Sequence, residues 1–495
     1  MLFSSLTFII FFAIVLAVML AVQVGRVKDA HVTITRMDDT VLVSRTYNVK
    51  HVILLVASYV FYGWWDWRFC FLMLAMTVIA HLSSNYKEKK IWRVAGIVFP
   101  LVILGIFKYF NFFVDSFCTT FGIKQVGSLN IILPIGISFF TFQAMSYTID
   151  AFKGTQKEPV SFLRLALYIA FFPALVAGPI IRAQNFLPQL NEDKRITLRG
   201  MEVGIQIFLF GLFKKIVLAD HLAVFVDQVF DTPAAFGAST LILAVVAYSL
   251  QIYFDFSGYS DMATGCSRML GYDLLPNFNM PYISRNVTEF WKRWHISLSS
   301  WLQQYLYFSL GGNRKGKTRT YVNLMATMTL GGLWHGANWT FVIWGILHGA
   351  GLCAHKLFSG LFAKKETHSS QAVNKRDGSL VITLASILVT YTFVCFCWIF
   401  FRASTFDKAF TMIHGIFTWK TGVTQMFSWA FIAIAVAAIG TLTAVVRARK
   451  QSAVNGFYPI FNLNTVHGLF ILFLTLGITL GLAHVGDNPF IYFQF

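Results

Sequence analysis

The sequence predicts an all-α, polytopic membrane protein, and three observations carry that reading. Residues of the set AVILMFWYC make up 56% of the 495-residue chain, and its mean hydropathy is +0.63. Apolar runs such as Leu2 to Val24, Val381 to Phe401 and Leu469 to Ala483 match or approach the length needed to cross a hydrocarbon core at about 1.5 Å per helical residue. Cations exceed acids by 40 − 22 = 18, and they gather in short loops between those runs. Summing the runs gives about ten to twelve crossings.

The first run has no basic residue before Arg26 and no small-residue cleavage site after it, so it reads as a retained anchor. The cationic loops are Arg26 to Lys50, Lys87 to Arg93, Arg314 to Arg319, Lys364 to Arg376 and Arg447 to Lys450. The positive-inside rule makes them cytoplasmic. Their cations are not interleaved with aromatics as a base-stacking surface would require, which argues against nucleic acid as a partner. None of the six cysteines has C-x-x-C spacing, so they read as small buried hydrophobes and no metal is expected.

With Lys50 and Lys87 on one side, the chain between them crosses an even number of times. His51 to Gly63 and Phe69 to Ser83 would form a short hairpin turning at the aromatic cluster Trp64 to Arg68. Arg93 to Phe121, Ile131 to Phe152, Phe162 to Ile181, Gly204 to Phe230 and Leu241 to Cys266 follow as helices. Breaks at Pro134-Ile135-Gly136 and Gly178-Pro179 are candidate pocket walls, since irregular backbone at membrane depth must be buried in protein or line a cavity. Phe290 to Phe308 reads as one interfacial amphipathic helix. Trp291, Trp294, Leu298, Trp301, Leu302 and Tyr305 share one face, with His295 beside them, and Arg293, Ser297, Ser300 and Gln304 share the other. The chain divides into N-terminal helices with a basic loop (1–130), a core (131–362), a polar linker (363–379) and C-terminal helices (380–495), with Phe406 to Trp419 at the surface.

No serine elbow, P-loop, H-E-x-x-H or dinucleotide fingerprint occurs. Histidine, with carboxylates, is what remains for chemistry. His335 lies in an apolar stretch among Gly331, Gly332 and Gly336, and an ionisable group at that depth points to function. Burial favours a neutral imidazole able to take a proton from a hydroxyl. The alternative, a core histidine bonded to a backbone carbonyl, stays open for His335, His348 and His295. Asn338 and Trp339 would share the face of His335 if the segment were helical. Asp255 and Asp261 are placed to pair with Arg293 or Lys292, to orient a histidine, or to satisfy a buried network. Glu289 suits a helix N-terminus.

The stretches LPIGISFFTFQAMSYTIDAFKG, FFPALVAGPIIRAQNFLPQL, YFDFSGYSDMATGCSRMLGY, NFNMPYISRNVTEFWKRWHISLSSWLQQYLYFSLGGNR and LGGLWHGANWTFVIWGILHG run in order from about Leu133 to Gly349. Together they closely resemble the membrane-bound O-acyltransferase family in its bacterial alginate O-acetyltransferase branch. The resemblance implies a helical ring with a thinned centre and interfacial amphipathic helices. It makes His335 the catalytic histidine and His295 its companion, and adds Trp334 and Arg182 to Asp255, Asp261, Glu289, Arg293 and Asn338 as supporting or tunnel positions. The family's usual W-L-R-D-Y-L-Y is here Trp301-Leu302-Gln303-Gln304-Tyr305-Leu306-Tyr307, a proline common shortly after is Ser309, and Gly25 to Tyr47 looks inserted.

By resemblance, the protein sits as a multi-pass chain in the cytoplasmic (inner) membrane, among its lipids. It would move an acyl group, acetyl in this branch, from a cytoplasmic thioester such as acetyl-CoA, with no bound cofactor. The acceptor would be a hydroxyl of an extracytoplasmic polysaccharide, or a partner protein of the SGNH esterase type that passes the group on. A D-alanyl transferase for teichoic acid is the rival within the class. A transporter or flippase of lipid-linked sugars and a non-catalytic secretion scaffold are the rivals outside it.

Overall fold

The computed structural model describes residues 1–32, 39–124, 129, 131–156, 160–176, 178–362, 380–425, 462–463, 465–483 and 490–491, without the side chains of residues 26–48 and 361–362. Among these residues every extended regular element is a helix, and β pairing is limited to one bridge between Phe236 and Val423. Among the described residues six helical stretches are long and apolar enough to cross a membrane: Leu6–Gly25, Arg68–Asn85, Lys90–Phe121, Ala238–Met269, Trp339–Gly360 and Leu380–Arg402. Other apolar runs fold as shorter helices, such as Phe162–Ala170 and Phe172–Leu175, since hydropathy reports burial whether lipid or protein does the burying. The expected linker 363–379 and the basic runs Lys364 to Arg376 and Arg447 to Lys450 lie outside the described residues.

The chain forms two compact units. The first comprises Met1–Leu218 and Asp255–Leu275 with the described part of Ile432–Gly486. Its helices are α1 (Leu6–Val32), α2 (Asp39–Asp66), α3 (Arg68–Asn85), α4 (Lys90–Leu104), α5 (Phe110–Phe121), α6 (Ile137–Phe152), α7 (Phe162–Ala170), α8 (Phe172–Leu175), α9 (Ala183–Phe186) and α10 (Leu198–Phe213). The C-terminal half of α12 (Ala238–Met269) also belongs to it.

The expected hairpin is present, but α2 has 28 residues. The short span from His51 to Gly63 is therefore only part of a longer helix, since hydropathy marks where an apolar run begins and not where the helix does. The turn is fixed by Asp66, whose carboxylate accepts from the Arg68 backbone N–H at 3.0 Å and pairs with its guanidinium at 2.5 Å. Trp64 and Trp67 beside it are exposed, as interfacial aromatics are.

The break before α6 has a steric cause. Gly136 holds φ +76°, and a Cβ there would lie 2.7 Å from the Leu175 carbonyl oxygen. Gly178 likewise leaves room for Ala174, whose Cα would sit 2.5 Å from an added Cβ.

Where α10 crosses α12, Gly204 meets Gly265 and Gly211 meets Gly258, backbone on backbone. Small residues permit such close approach between membrane helices. A π-helical turn, Lys214–Ala219, follows at once and presents two cations to α12. Lys214 Nζ reaches Asp261 at 2.6 Å and Lys215 Nζ reaches Asp255 at 2.7 Å. These aspartates therefore do not pair with Lys292 or Arg293. Lys215 and Asp255 are each 3% exposed, so each charge depends on the other. Replacing Lys215 by Met is expected to destabilise the protein by up to roughly 3–5 kcal/mol, because it removes the cation that faces a buried carboxylate. Pairing it with Asp255→Leu should restore most of the loss. Thermal unfolding in detergent reads both, and an undisturbed single variant would show that the pair does not matter.

The second unit comprises Ala219–Phe254 and Pro276–Phe431 with the described part of Asp487–Phe495. It holds α11 (Asp220–Asp231), the N-terminal half of α12, α13 (Val287–Arg293), α14 (Ile296–Trp301), a π-helical turn Leu302–Tyr307, α15 (Lys317–His335), α16 (Trp339–Phe362), α17 (Leu380–Arg402) and α18 (Phe406–Phe417). Phe290 to Phe308 is thus not one helix: it breaks between Arg293 and Ile296. Within this unit α15 and α16 form a hairpin so close that a Cβ on Gly332 would lie 2.3 Å from the Phe341 carbonyl oxygen, and one on Gly345 2.4 Å from that of Met328.

Candidate active site

The break in the amphipathic segment is built from its caps inward. Asn286 caps α13 by accepting from the Glu289 N–H at 2.8 Å. The Glu289 carboxylate reaches back to the Arg285 N–H at 3.0 Å and forward to Arg293 at 2.7 Å. Glu289 and Arg293 therefore hold helix ends, consistent with the expected N-terminal placement of Glu289. Arg293 also donates to the Asn279 carbonyl at 3.1 Å.

Beyond Arg293 the chain turns through Trp294 and His295. His295 has φ +40° and ψ +57°, a left-handed conformation that costs a side-chain-bearing residue about 1–2 kcal/mol. Asn277 supplies the compensation. Its backbone carbonyl accepts from the Ile296 N–H at 2.8 Å. Its side-chain Oδ1 accepts from the Ser297 N–H at 3.2 Å and from the Ser297 hydroxyl at 2.6 Å, and faces His295 Nδ1 at 3.3 Å. The Ser297 N–H can only donate, which identifies the Asn277 atom as oxygen. The hydrogen bond then requires the proton on His295 Nδ1, leaving the lone pair on Nε2.

His335 arrives from the other side as the last residue of α15. Gly336 is extended at φ −159°, and Asn338 starts α16 by accepting from the Thr340 N–H at 3.0 Å while donating to the Ser404 carbonyl at 3.1 Å. Asn338 and Trp339 thus do not share the helix face of His335, because the helix ends there. A helix C-terminus favours positive charge, so a protonated imidazole would be stabilised at this position.

The two imidazoles lie 6.5 Å apart between ring centres, at 0% exposure for His295 and 3% for His335. Trp334 sits against both, 5.0 Å from His335 and 6.1 Å from His295. Trp344 and Phe401 close on His335 at 5.0 and 5.2 Å. Of the residues expected at the site, the structure brings together His295, His335 and Trp334. Asn338, Glu289 and Arg293 shape the adjoining turns. Asp255, Asp261 and Arg182 belong to the first unit, the aspartates on lysines and Arg182 at the start of α9.

Sequence reasoning missed Asn277, Trp344 and Phe401. Asn277 could have been suspected from its place in NFNMPYISRN, although nothing in spacing ties it to His295. The Gly336 and Asn338 pair was legible as a helix stop followed by a helix start.

The structure thus buries two imidazoles side by side among aromatic walls in a helical protein with apolar candidate membrane spans. A family model described as MBOAT, membrane-bound O-acyltransferase family, matches residues 52–397. The chain belongs to that family and is a multi-pass membrane acyltransferase. It is 40% identical over 385 residues to the probable alginate O-acetylase AlgI of Pseudomonas aeruginosa, covering 75% of this chain and 70% of that protein. It is 35% identical over 396 residues to the peptidoglycan O-acetyltransferase of Helicobacter pylori, covering 73% of each. To the teichoic acid D-alanyltransferase of Bacillus subtilis it is 30% identical over 293 residues, 56% of this chain and 70% of that protein.

His295 lies outside the six candidate spans, and burial pushes its imidazole down from 6.5 to about 3. Between those values the unfolded chain binds a proton that the folded chain does not. The stability linked to this residue is therefore present above pH 6.5 and is lost as pH falls toward 3. Compared with a His295→Gln variant, the wild type should lose up to about 2 kcal/mol more stability on moving from about pH 7.5 to about pH 5. Thermal unfolding of the two proteins at both pH values measures the difference, and parallel losses would show that His295 is not held neutral.

Proposed function

We propose that the protein transfers an acetyl group from a cytoplasmic thioester, with acetyl-CoA as co-substrate, to hydroxyls of an extracytoplasmic polysaccharide. The observation that carries the reading is the buried pair His295 and His335, set in one aromatic enclosure with His335 at a helix end. His335 takes the proton of the attacking hydroxyl as the hydroxyl oxygen bonds to the thioester carbonyl carbon. The tetrahedral intermediate collapses by breaking its C–S bond, and the proton passes from His335 to the leaving thiolate. His295, with its Nε2 lone pair, accepts a hydrogen bond that orients the hydroxyl. The aromatic walls exclude water, which limits hydrolysis of the thioester.

The acceptor is read from the relatives named for alginate and peptidoglycan O-acetylation, whose matches cover more of this chain than the D-alanyltransferase match does. Delivery through an SGNH-type partner protein, and location in the inner membrane, accompany this reading. It assigns the donor side to the cytoplasm because the basic loops favour that face.

Purified protein in detergent or vesicles should release thiol from acetyl-CoA when supplied with acceptor glycan. His335→Ala should slow that release by about 10²- to 10⁴-fold with folding intact. Equal rates in the variant would sink the mechanism, and absence of release by the wild type would favour a transporter. Mass analysis of surface glycans from cells with and without the protein identifies the group and its acceptor, and D-alanyl in place of acetyl would overturn the donor assignment.

A further inference from the structure

Besides the indole N–H groups of Trp294 and Trp398, the second unit buries two further unpartnered hydrogen-bond donors that the mechanism above leaves unused, and these two adjoin each other beside His335. They are the indole N–H of Trp344 and the imidazole Nε2 of His348. Both stand on α16 four residues apart, hence on one face, with side chains leaning toward the helix N-terminus. Trp344 is 1% exposed and His348 0%. Trp344 lies edge-on between two imidazoles, 5.0 Å from His335 and 4.9 Å from His348.

The protonation of His348 follows from its neighbour. Trp291 Nε1 reaches His348 Nδ1 at 3.3 Å, and an indole N–H can only donate. Nδ1 therefore carries the lone pair, the ring is neutral, and its proton is on Nε2. Neither that N–H nor the Trp344 N–H has a hydrogen-bond partner among the described residues. The other walls are the rings of Phe290, Phe393 and Trp398, with no oxygen among them. Buried polar groups almost always find partners, and here two donors without acceptors adjoin each other and a buried histidine.

We infer that Trp344 and His348 donate to the carbonyl oxygen of the acyl thioester and hold it as it becomes an oxyanion. The chemistry of the pair selects that ligand. Both groups donate and neither accepts, so they match a carbonyl oxygen, which only accepts, better than a sugar hydroxyl, whose proton needs an acceptor of its own. Both are neutral, so their interaction strengthens only as negative charge develops in a site closed to water. The inference rests on the acyl-transfer reading and supplies the electrophilic half of it: His335 handles the proton while Trp344 and His348 stabilise the oxygen.

The test is kinetic. Trp344→Phe keeps an aromatic ring and removes the N–H, and it should lower kcat by about 10²-fold or more with the KM for acetyl-CoA and the unfolding midpoint little changed. Full kcat in that variant overturns the assignment of Trp344. For His348, a double-mutant comparison separates chemistry from packing. If the residue merely satisfies Trp291, removing both polar partners in a Trp291→Phe/His348→Phe protein should restore the rate lost in His348→Phe. The inference expects the loss to persist, and restoration overturns it.

Should the variants fail to fold, the wild type supplies the answer. A ketone analogue of acetyl-CoA, which keeps the carbonyl, should inhibit much more strongly than the matching alkyl thioether, which lacks it. Equal inhibition would overturn the inference. Acetyl transfer by the wild type is measured first, so failure of the enzyme reading is seen separately from failure of this one.

Discussion

The placement of His295 depends on one amide oxygen. Asn277 Oδ1 accepts both donors of Ser297 and faces His295 Nδ1, while the Asn277 backbone carbonyl takes the Ile296 N–H. Four interactions from one buried residue hold the chain in a left-handed turn that its own preferences oppose. The same contacts choose the tautomer, and with it the atom that can accept a hydrogen bond from a substrate. Removing that oxygen would loosen the ring orientation and the proton position together, leaving the turn held by the Asn277 backbone carbonyl. A site built this way is rigid because its strain and its hydrogen bonds are satisfied by the same partner.

The second constraint is the closeness of α15 and α16. Glycines at 332 and 345 allow backbone to touch backbone, and the touching backbones bring the end of one helix against the first turns of the next. His335, at the end of α15, therefore meets Trp344 from α16 without any long side chain having to reach. Gly336 adds to this, since a Cβ there would lie 2.1 Å from the Phe341 ring. Three glycines thus act through the volume they leave vacant, filled by backbone at Gly332 and Gly345 and by the Phe341 ring at Gly336.

The fold class was legible because hydropathy over twenty or so residues is a strong signal, and because Pro134 and Gly136 announce a break that sterics then explain. The break at His295 was not legible. No glycine or proline marks it, and the apolar residues keep a helical rhythm on both sides, so a single helical wheel accommodates them all. Ser297, assigned by that wheel to the polar face, is buried on Asn277 for the same reason. Partner choice was also hidden for Asp255 and Asp261, since a π-helical turn shifts the facing of Lys214 and Lys215 and leaves no trace in residue spacing. By contrast His335 is legible as an ionisable residue among glycines in an apolar stretch, and the structure gives it His295 as a neighbour although the helix expected for that neighbour breaks there.

The two units show different answers to one problem, how to keep polar groups in an apolar setting. In the first, lysine and aspartate are buried as pairs, each charge cancelling the other where it stands. Such pairs fix structure but leave nothing for a substrate, since the Coulombic attraction that makes burial tolerable also ties up both partners. In the second, the buried groups near His335 are imidazoles and indoles. Their burial costs far less than that of a lone ion, so they need no permanent counter-charge. Acyl transfer creates charge only in passing, on an oxygen and on an imidazole, and neutral dipoles fixed in advance can stabilise both without the rearrangement that water would require. A carboxylate beside His335 would favour an imidazolium but repel an oxyanion, whereas on the proposed mechanism the helix end at His335 and the N–H groups beside it would favour each charge where it forms.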